Sequence, residues 1–257
     1  MTTFERRFRL LNILRDQPGI RVPDLARLLA VSEGTIRNDM NALSEDGKLM
    51  RVWGGAVPLE AVVEQVPAYA ARARMNEPAK NAIARAAARL VADGDSILLD
   101  ASTTVFGMAS YLQEHRNLTV ITNGLEVGRE LARNPTNVVV LLGGILRPDG
   151  TAVTRPVSES LIKDMHIKTA FVSSSGFSIE AGLTEVDFHE ALFKRTMIEA
   201  AGFLVALIDS SKFGKIDLTP FARVERVGRL ITDNHLSAQW AQKLTGVGIP
   251  YTLSGEA

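Results

Sequence analysis

The stretch Asp100-Ala101-Ser102-Thr103-Thr104 sets a carboxylate and three hydroxyls directly behind a strand-like run, Ser96-Ile97-Leu98-Leu99. An amphipathic stretch follows, so the hydroxyls fall where a helix begins. Its free N–H groups and the positive end of its dipole favour an anion there, and phosphate is the natural guest. Ser102 to Thr104 would serve equally well as ordinary caps of that helix, and the loop alone does not choose between the two. Lys212, beyond a second strand-like end at Asp209-Ser210, either brings a compact positive charge to the same place or is simply solvated. Glu190 and Lys194 lie four residues apart. Taken alone they form a surface ion pair worth about 0.3–0.5 kcal/mol.

Such residues act only if a scaffold gathers them. Short apolar runs recur at Ser96 to Leu99, Leu118 to Ile121, Val138 to Leu142, Thr169 to Val172, Phe203 to Ile208 and Leu230 to Ile231. Amphipathic stretches separate them: Val105 to Leu112, Leu125 to Arg133, Val157 to Met165, Asp187 to Ala201 and Ser237 to Leu244. Continuously apolar strands alternating with helices predict a largely parallel sheet covered on both faces. The runs end in Asp100, Thr122-Asn123, Gly143-Gly144, Ser173-Ser174-Ser175, Asp209-Ser210-Ser211 and Thr232-Asp233. Polar residues thus collect at the carboxyl ends of the strands, where open α/β sheets bind ligands.

The first sixty residues follow another plan. Phe4, Leu10, Leu11, Ile13 and Leu14 recur at helical spacing up to Pro18-Gly19. Val22 to Ala30, with Pro23 in its first turn, reads as a second helix. Ser32 caps a third, on which Ile36, Met40 and Leu43 line one side. The opposite side carries Gly34, Arg37, Asn38 and Asn41, flanked by Thr35. Arg and Asn can bond guanine and adenine bidentately, and Thr can reach a phosphate or a thymine methyl. An isolated face of this kind is also an ordinary solvated surface. The run Lys48-Leu49-Met50-Arg51-Val52-Trp53-Gly54-Gly55 tips the reading, because two alternating stretches around a glycine turn suit a β-wing. Lys48 and Arg51 would neutralise phosphates there. Pro58 to Pro78 reads as a connector with some helical character.

The composition excludes several classes. The 257 residues, 46% hydrophobic and 23% charged, suit a soluble globular protein of two modest domains. The 29 basic and 29 acidic residues cancel, so any nucleic-acid affinity must come from local placement. Up to Val57 there are nine basic and seven acidic residues, a mild excess. The chain has no cysteine, which removes disulfides and thiolate metal sites and fits a reducing cytoplasm. The start lacks an apolar signal core, and no apolar run approaches the roughly 20 residues a membrane span needs. His115, His166, His189 and His235 are scattered, and His189 lacks a histidine four residues on because Phe193 stands there. Gly143-Gly144 lacks the three-glycine dinucleotide spacing. No cofactor and no metal are implied.

Residues 4–57 resemble the winged helix-turn-helix of the DeoR family of bacterial transcription regulators. The matching stretch runs Val31-Ser32-Glu33-Gly34-Thr35-Ile36-Arg37-Asn38-Asp39-Met40, then Leu43, Gly47 and Arg51-Val52-Trp53-Gly54-Gly55-Ala56. Asn38 stands where a second arginine is common, and Trp53 where histidine is common. Residues from about Arg72 to Tyr251 are similar to the family's sensor domain, itself similar in fold to ribose-5-phosphate isomerase and the coenzyme A transferases. The matches are Arg72, Asn76 and Lys80; Asp100 to Thr104; Val120 to Asn123; Leu142-Gly143-Gly144 with Arg147; and Gly182-Leu183-Thr184. They continue with Glu190, Lys194 and Glu199, Asp209 to Gly214, and Ile231-Thr232-Asp233. Arg155 and Ser173 depart from the family, which often has glycine at both places.

The resemblance implies a winged helix-turn-helix over residues 1–57, a linker over 58–78 and a Rossmann-like, mostly parallel α/β sensor domain over 79–257. Ser32, Gly34, Thr35, Arg37, Asn38, Asn41, Lys48 and Arg51 would contact double-stranded operator DNA. Asp100, Ser102, Thr103, Thr104, Lys194 and Lys212 would contact a phosphorylated sugar or polyol effector, with Asn123, Gly144, Arg147 and Glu190 as neighbours. The expectation is a cytoplasmic homo-oligomer, dimer or tetramer, repressing a carbohydrate-utilisation operon. The alternative is a sugar-phosphate isomerase-like enzyme with an appended DNA-binding module, using Asp100, Asp209 or Glu190 as base. Carboxylates in a polar crevice more often orient sugar hydroxyls, and no second acid or base stands at a persuasive spacing, so catalysis is not expected.

Overall fold

The computed structural model describes residues 2–17, 20–45, 49–52, 55–58, 69–156 and 159–255. It divides into two compact units, Met1–Pro67 and Ala68–Ala257. Residues 69–78 therefore belong to the second unit rather than to the connector read for residues 58–78.

The first unit begins with α1 (Thr3–Asp16), opened by a reciprocal cap. The Thr2 hydroxyl accepts from the Glu5 N–H, and the Glu5 carboxylate accepts from the Thr2 N–H. Helix α2 (Val22–Leu29) carries Pro23 in its first turn and stops at Ala30 in the left-handed conformation. Helix α3 (Glu33–Glu45) starts where the Ser32 hydroxyl accepts from the Thr35 N–H at 3.1 Å. Leu10, Leu14, Leu25, Ile36, Met40 and Leu43 close one core between the three helices. Strands β1 (Leu49–Val52) and β2 (Gly55–Pro58) form an antiparallel wing, with Arg51 opposite Ala56. Gly47, Lys48, Trp53 and Gly54 lie outside the described residues.

The second unit opens with α4 (Tyr69–Arg74) and α5 (Glu77–Ala88). Then come β3 (Ser96–Leu99), α6 (Thr103–Phe106), α7 (Met108–Tyr111), β4 (Thr119–Thr122), α8 (Leu125–Leu131) and β5 (Val138–Leu141). A hairpin of β6 (Gly144–Leu146) and β7 (Val153–Pro156) leads to α9 (Glu159–Lys163) and β8 (Ile167–Val172). Next are β9 (Gly176–Ser178), β10 (Gly182–Glu185), α10 (Phe188–Glu199) and β11 (Ala201–Leu207). The chain then adds β12 (Thr219–Ala222), β13 (Arg229–Asp233), α11 (Ala238–Gly246) and β14 (Tyr251–Ser254).

Seven strands form one wholly parallel sheet in the order β14-β13-β11-β8-β3-β4-β5. The strand alternation divides two cores between its faces. Ile97, Leu99, Phe171, Val205 and Leu207 pack on one face with α5 to α8. Leu98, Ala170, Val172, Leu204 and Ala206 pack on the other with α10. Strand order reverses between β3 and β8, so the chain leaves the sheet in opposite directions there and opens the crevice where such folds bind ligands.

Further features differ from the sequence expectation, including β14 (Tyr251–Ser254), which no apolar run announced. The helix read over Val105 to Leu112 is two single turns that break at Gly107, where a Cβ would stand 3.1 Å from the Ala84 methyl of α5. A three-stranded antiparallel sheet, β12-β10-β9, also accompanies the parallel one. Gly182 makes its turn possible, with φ of +72° and no room for a side chain, since a Cβ there would lie 2.1 Å from the Ala222 carbonyl oxygen.

Candidate functional site

At the switch point the strand ends converge on a buried charge network. Asp100, just past β3, is fully buried, and its Oδ1 accepts from the Ser102 N–H at 3.0 Å. Its Oδ2 accepts from the Ser173 N–H at 3.1 Å and pairs with Lys194 Nζ at 2.9 Å. Helix α10 positions Lys194: Asp187 caps its start by accepting from the Glu190 N–H, and the apolar face turns Lys194 inward. Only 1% of Lys194 is exposed. Its ammonium also reaches Glu185 Oε1 at 2.5 Å, the Ser173 carbonyl at 2.8 Å and Glu190 Oε1 at 3.7 Å. The Glu190/Lys194 pair is thus buried, which corrects the surface reading.

Burial alone would strip the Lys194 proton, yet Asp100, Glu185 and Glu190 together raise its pKa far above the usual lysine range. Burial pushes the Glu185 carboxyl up despite Lys194. Glu190 carries the same burial cost, but Lys194, Arg147 and Arg72 together hold it below the usual carboxylate range. Arg147 grips it at 3.0 Å and reaches Asp149 at 2.9 Å.

A second group of charges shares Ser173 with the first. Lys212 Nζ donates to Ser173 Oγ at 3.0 Å and stands 3.6 Å from Asp209. Asn76 donates to Asp209 Oδ1 at 3.0 Å and to Ser211 Oγ at 3.1 Å, from a left-handed backbone with φ of 54°. Lys80 is buried and donates to the Arg72 carbonyl.

Around these charges several shielded polar atoms have no partner among the described residues: Thr104 Oγ1, Asn123 Oδ1, Ser174 Oγ, and Arg72 Nε and Nη2. The Asn123 amide donates to the Val153 carbonyl at 2.9 Å, which fixes its orientation. Ser102 Oγ accepts from the Val105 N–H, so this hydroxyl does cap the short helix. Thr103 stands in that helix's first turn, and Gly144 opens the β6 hairpin that carries Arg147 just beyond it.

In the first unit Gly34, Arg37, Asn38 and Asn41 are exposed on one side of α3, and Thr35 is half-buried beside them. Arg37 donates to Glu33 at 2.8 Å, and the Ser32 and Thr35 hydroxyls meet at 2.9 Å. Sequence reasoning missed Asp39 on the inner side. Arg6 holds it through Nε at 2.5 Å and Nη2 at 3.2 Å, and Arg7 adds Nε at 3.0 Å. Burial alone would raise the Asp39 pKa; the two guanidinium groups hold it below the usual range instead.

Residues 75–234 match the DeoR C terminal sensor domain, and residues 6–62 the DeoR-like helix-turn-helix domain. The chain belongs to the DeoR family. The HTH-type transcriptional regulator GolR of Listeria innocua is 37% identical over 254 residues, 99% of this chain and 100% of the relative. The transcriptional repressor AccR of Agrobacterium fabrum is 33% identical over 91% of this chain and 90% of its own. Ribose 5-phosphate isomerase from Plasmodium falciparum superposes with a TM-score of 0.38 at 13% identity, covering 52% of each chain. As a member of the DeoR family the chain is a DNA-binding transcriptional regulator. Among the described residues no helix is long and apolar enough to cross a membrane.

In this DeoR-family chain, Ser173 ties the two halves of the network together. Its N–H serves Asp100, its carbonyl serves Lys194 and its hydroxyl holds Lys212. The sequence marked Ser173 as a polar strand end and as a departure from the family, not as the link between two charge groups. Glu185 escaped notice because it ends β10, a strand too short and glycine-bounded to be read. Arg72, Asn76 and Lys80 carried a family resemblance, but nothing in their spacing disclosed that α4 and α5 reach the switch point.

Proposed function

We propose that this regulator represses a carbohydrate-utilisation operon and that a phosphorylated sugar or polyol, bound at the switch-point crevice, controls its grip on operator DNA. One observation carries the reading: shielded groups without a partner among the described residues, on Arg72, Thr104, Asn123 and Ser174, lie on the strand ends and helices of the same unit that carries Lys80 and Lys212. Unpaired buried polar atoms cost about 1–3 kcal/mol each, and a polyhydroxylated anion supplies the missing partners. The repressors among the relatives support the sign of regulation.

In this reading Lys194 positions the loops and leaves contact with the effector to others, since its three N–H groups are already engaged. Asp100, Asp209 and Glu190 are similarly occupied, which supports an orienting role over that of a catalytic base.

Thermal melting with a panel of pentose, hexose and polyol phosphates tests the proposal. At least one should raise the melting temperature while its unphosphorylated counterpart does not; an equal response to neutral sugars would refute it. Lys212→Ala removes one charge-assisted hydrogen bond, about 1.5–3 kcal/mol. It should weaken that effector by roughly ten- to a hundredfold, measured by titration, with operator affinity unchanged.

Arg37 would read the operator. Its exposed pair with Glu33 is worth about 0.3–0.5 kcal/mol, so releasing the guanidinium to a base edge costs little. Arg37→Ala should reduce operator affinity by about 1–3 kcal/mol in gel-shift titrations and relax the preference at one base position. The effector response should persist, and losing both together would instead indicate misfolding.

A further inference from the structure

Arg72, on α4, is a half-buried cation with an empty binding edge. Its Nε and Nη2 are shielded from solvent and have no hydrogen-bond partner among the described residues. These two nitrogens form the side of the guanidinium plane that grips two oxygens of one carboxylate or phosphate. The first unit shows that same edge filled, where Arg6 directs Nε and Nη2 onto the two oxygens of Asp39.

The surroundings place the empty edge at the crevice. Helix α4 packs against α6, the turn that carries Thr103 and Thr104. The Arg72 carbonyl accepts from Lys80, and the guanidinium carbon lies 5.8 Å from the centre of the Tyr69 ring, which steadies its plane. The Arg72 charge reaches Glu190 and Asp149, but neither carboxylate closes on it. Glu190 is held by Arg147 and Lys194, and Asp149 by Arg147 and Thr151. Two adjacent parallel donors match two oxygens carried on one atom, which a phosphoryl group offers and a single sugar hydroxyl does not. Lys80 and Lys212 enter the same neighbourhood, and Asp209 opposes them as a single carboxylate.

We infer that Arg72 clamps the effector's phosphoryl group, donating Nε and Nη2 to two of its oxygens. Occupancy is then registered by α4, the first element of the chain after residues 59–68. The inference rests on the phosphorylated-effector reading above and adds to it both a residue and a route.

Inorganic phosphate is the minimal probe, titrated into the full-length protein at constant ionic strength and followed by thermal melting and by hydrogen exchange over residues 69–76. Wild type and Arg74→Gln, an exposed change on the same helix, should melt higher and exchange more slowly with phosphate. Arg72→Gln should lose at least tenfold in phosphate affinity and show no slowing in α4. Arg72→Lys keeps the charge without the fork and should lose most of the affinity while staying folded, so a misfolded glutamine variant leaves the question decidable. If both Arg72 variants bind phosphate as wild type does, the clamp is wrong while the effector site stands. If wild type itself ignores phosphate, the phosphorylated-effector reading falls and takes the clamp with it.

Discussion

Lys194→Met is expected to destabilise the second unit by about 3–5 kcal/mol, a large share of the 5–15 kcal/mol that holds a typical domain together. Methionine fills much the same volume, so the cavity is small and the loss is electrostatic. Asp100, Glu185 and Glu190 converge on one ammonium, and removing it leaves three buried carboxylates facing each other. Glu190 keeps Arg147 and Asp100 keeps two backbone N–H groups, but among the described residues Glu185 retains only the Ser175 hydroxyl. Protonation of Glu185 is therefore the first relief, so the variant should recover part of its stability as pH falls towards the carboxylate range. Lys194→Met/Glu185→Gln should recover a similar part at neutral pH, because it removes that charge outright. Denaturant unfolding at several pH values measures all three. A Lys194→Met protein within about 1 kcal/mol of wild type would show that water enters the network and screens it.

The central strands of the main sheet were legible because they are buried and read as apolar runs, whereas the edge strand β14, Tyr251–Ser254, is partly exposed and polar and was not read. Leu98 packs towards α10 while Ile97 and Leu99 pack towards α5, and no polar residue interrupts them. The antiparallel sheet was not legible. Gly176-Phe177-Ser178 and Gly182-Leu183-Thr184-Glu185 are short, and their glycines resemble loop punctuation until the close approach of Ala222 to Gly182 is known. The site divides in the same way. Asp100, Lys194 and Lys212 could be named because strand ends and family motifs pointed to them. Their energetics were hidden, since a Glu190/Lys194 spacing of four is the same on a surface as in a core. Whether such a pair is worth tenths of a kcal/mol or several is set by what lies over the helix, which is tertiary information.

Asp39 poses the corresponding question in the first unit, where Asp39→Ala should cost about 3 kcal/mol. Asp39 lies on α3 between Asn38, which faces solvent, and Met40, which faces the core, and its partners Arg6 and Arg7 lie on α1, 33 and 32 residues earlier in the chain. The carboxylate is 3% exposed, whereas Arg6 and Arg7 are 15% and 34% exposed. After substitution the arginines can turn to water, which keeps the cost near the low end of a broken buried pair. Because the contact ties α3 to α1, hydrogen exchange should accelerate in both helices while the parallel sheet is unaffected. Operator affinity should fall with the folded fraction although no base contact has been removed. The pH dependence separates charge from packing. The native pKa of Asp39 is depressed, so its contribution is complete above the unfolded value and disappears as pH falls through the lower native one. Wild type should therefore lose stability in α1 and α3 along that acid limb, and Asp39→Ala should lack that component. If both proteins follow the same acid limb, apolar contacts around Leu10 and Met40 would be sufficient to join the two helices.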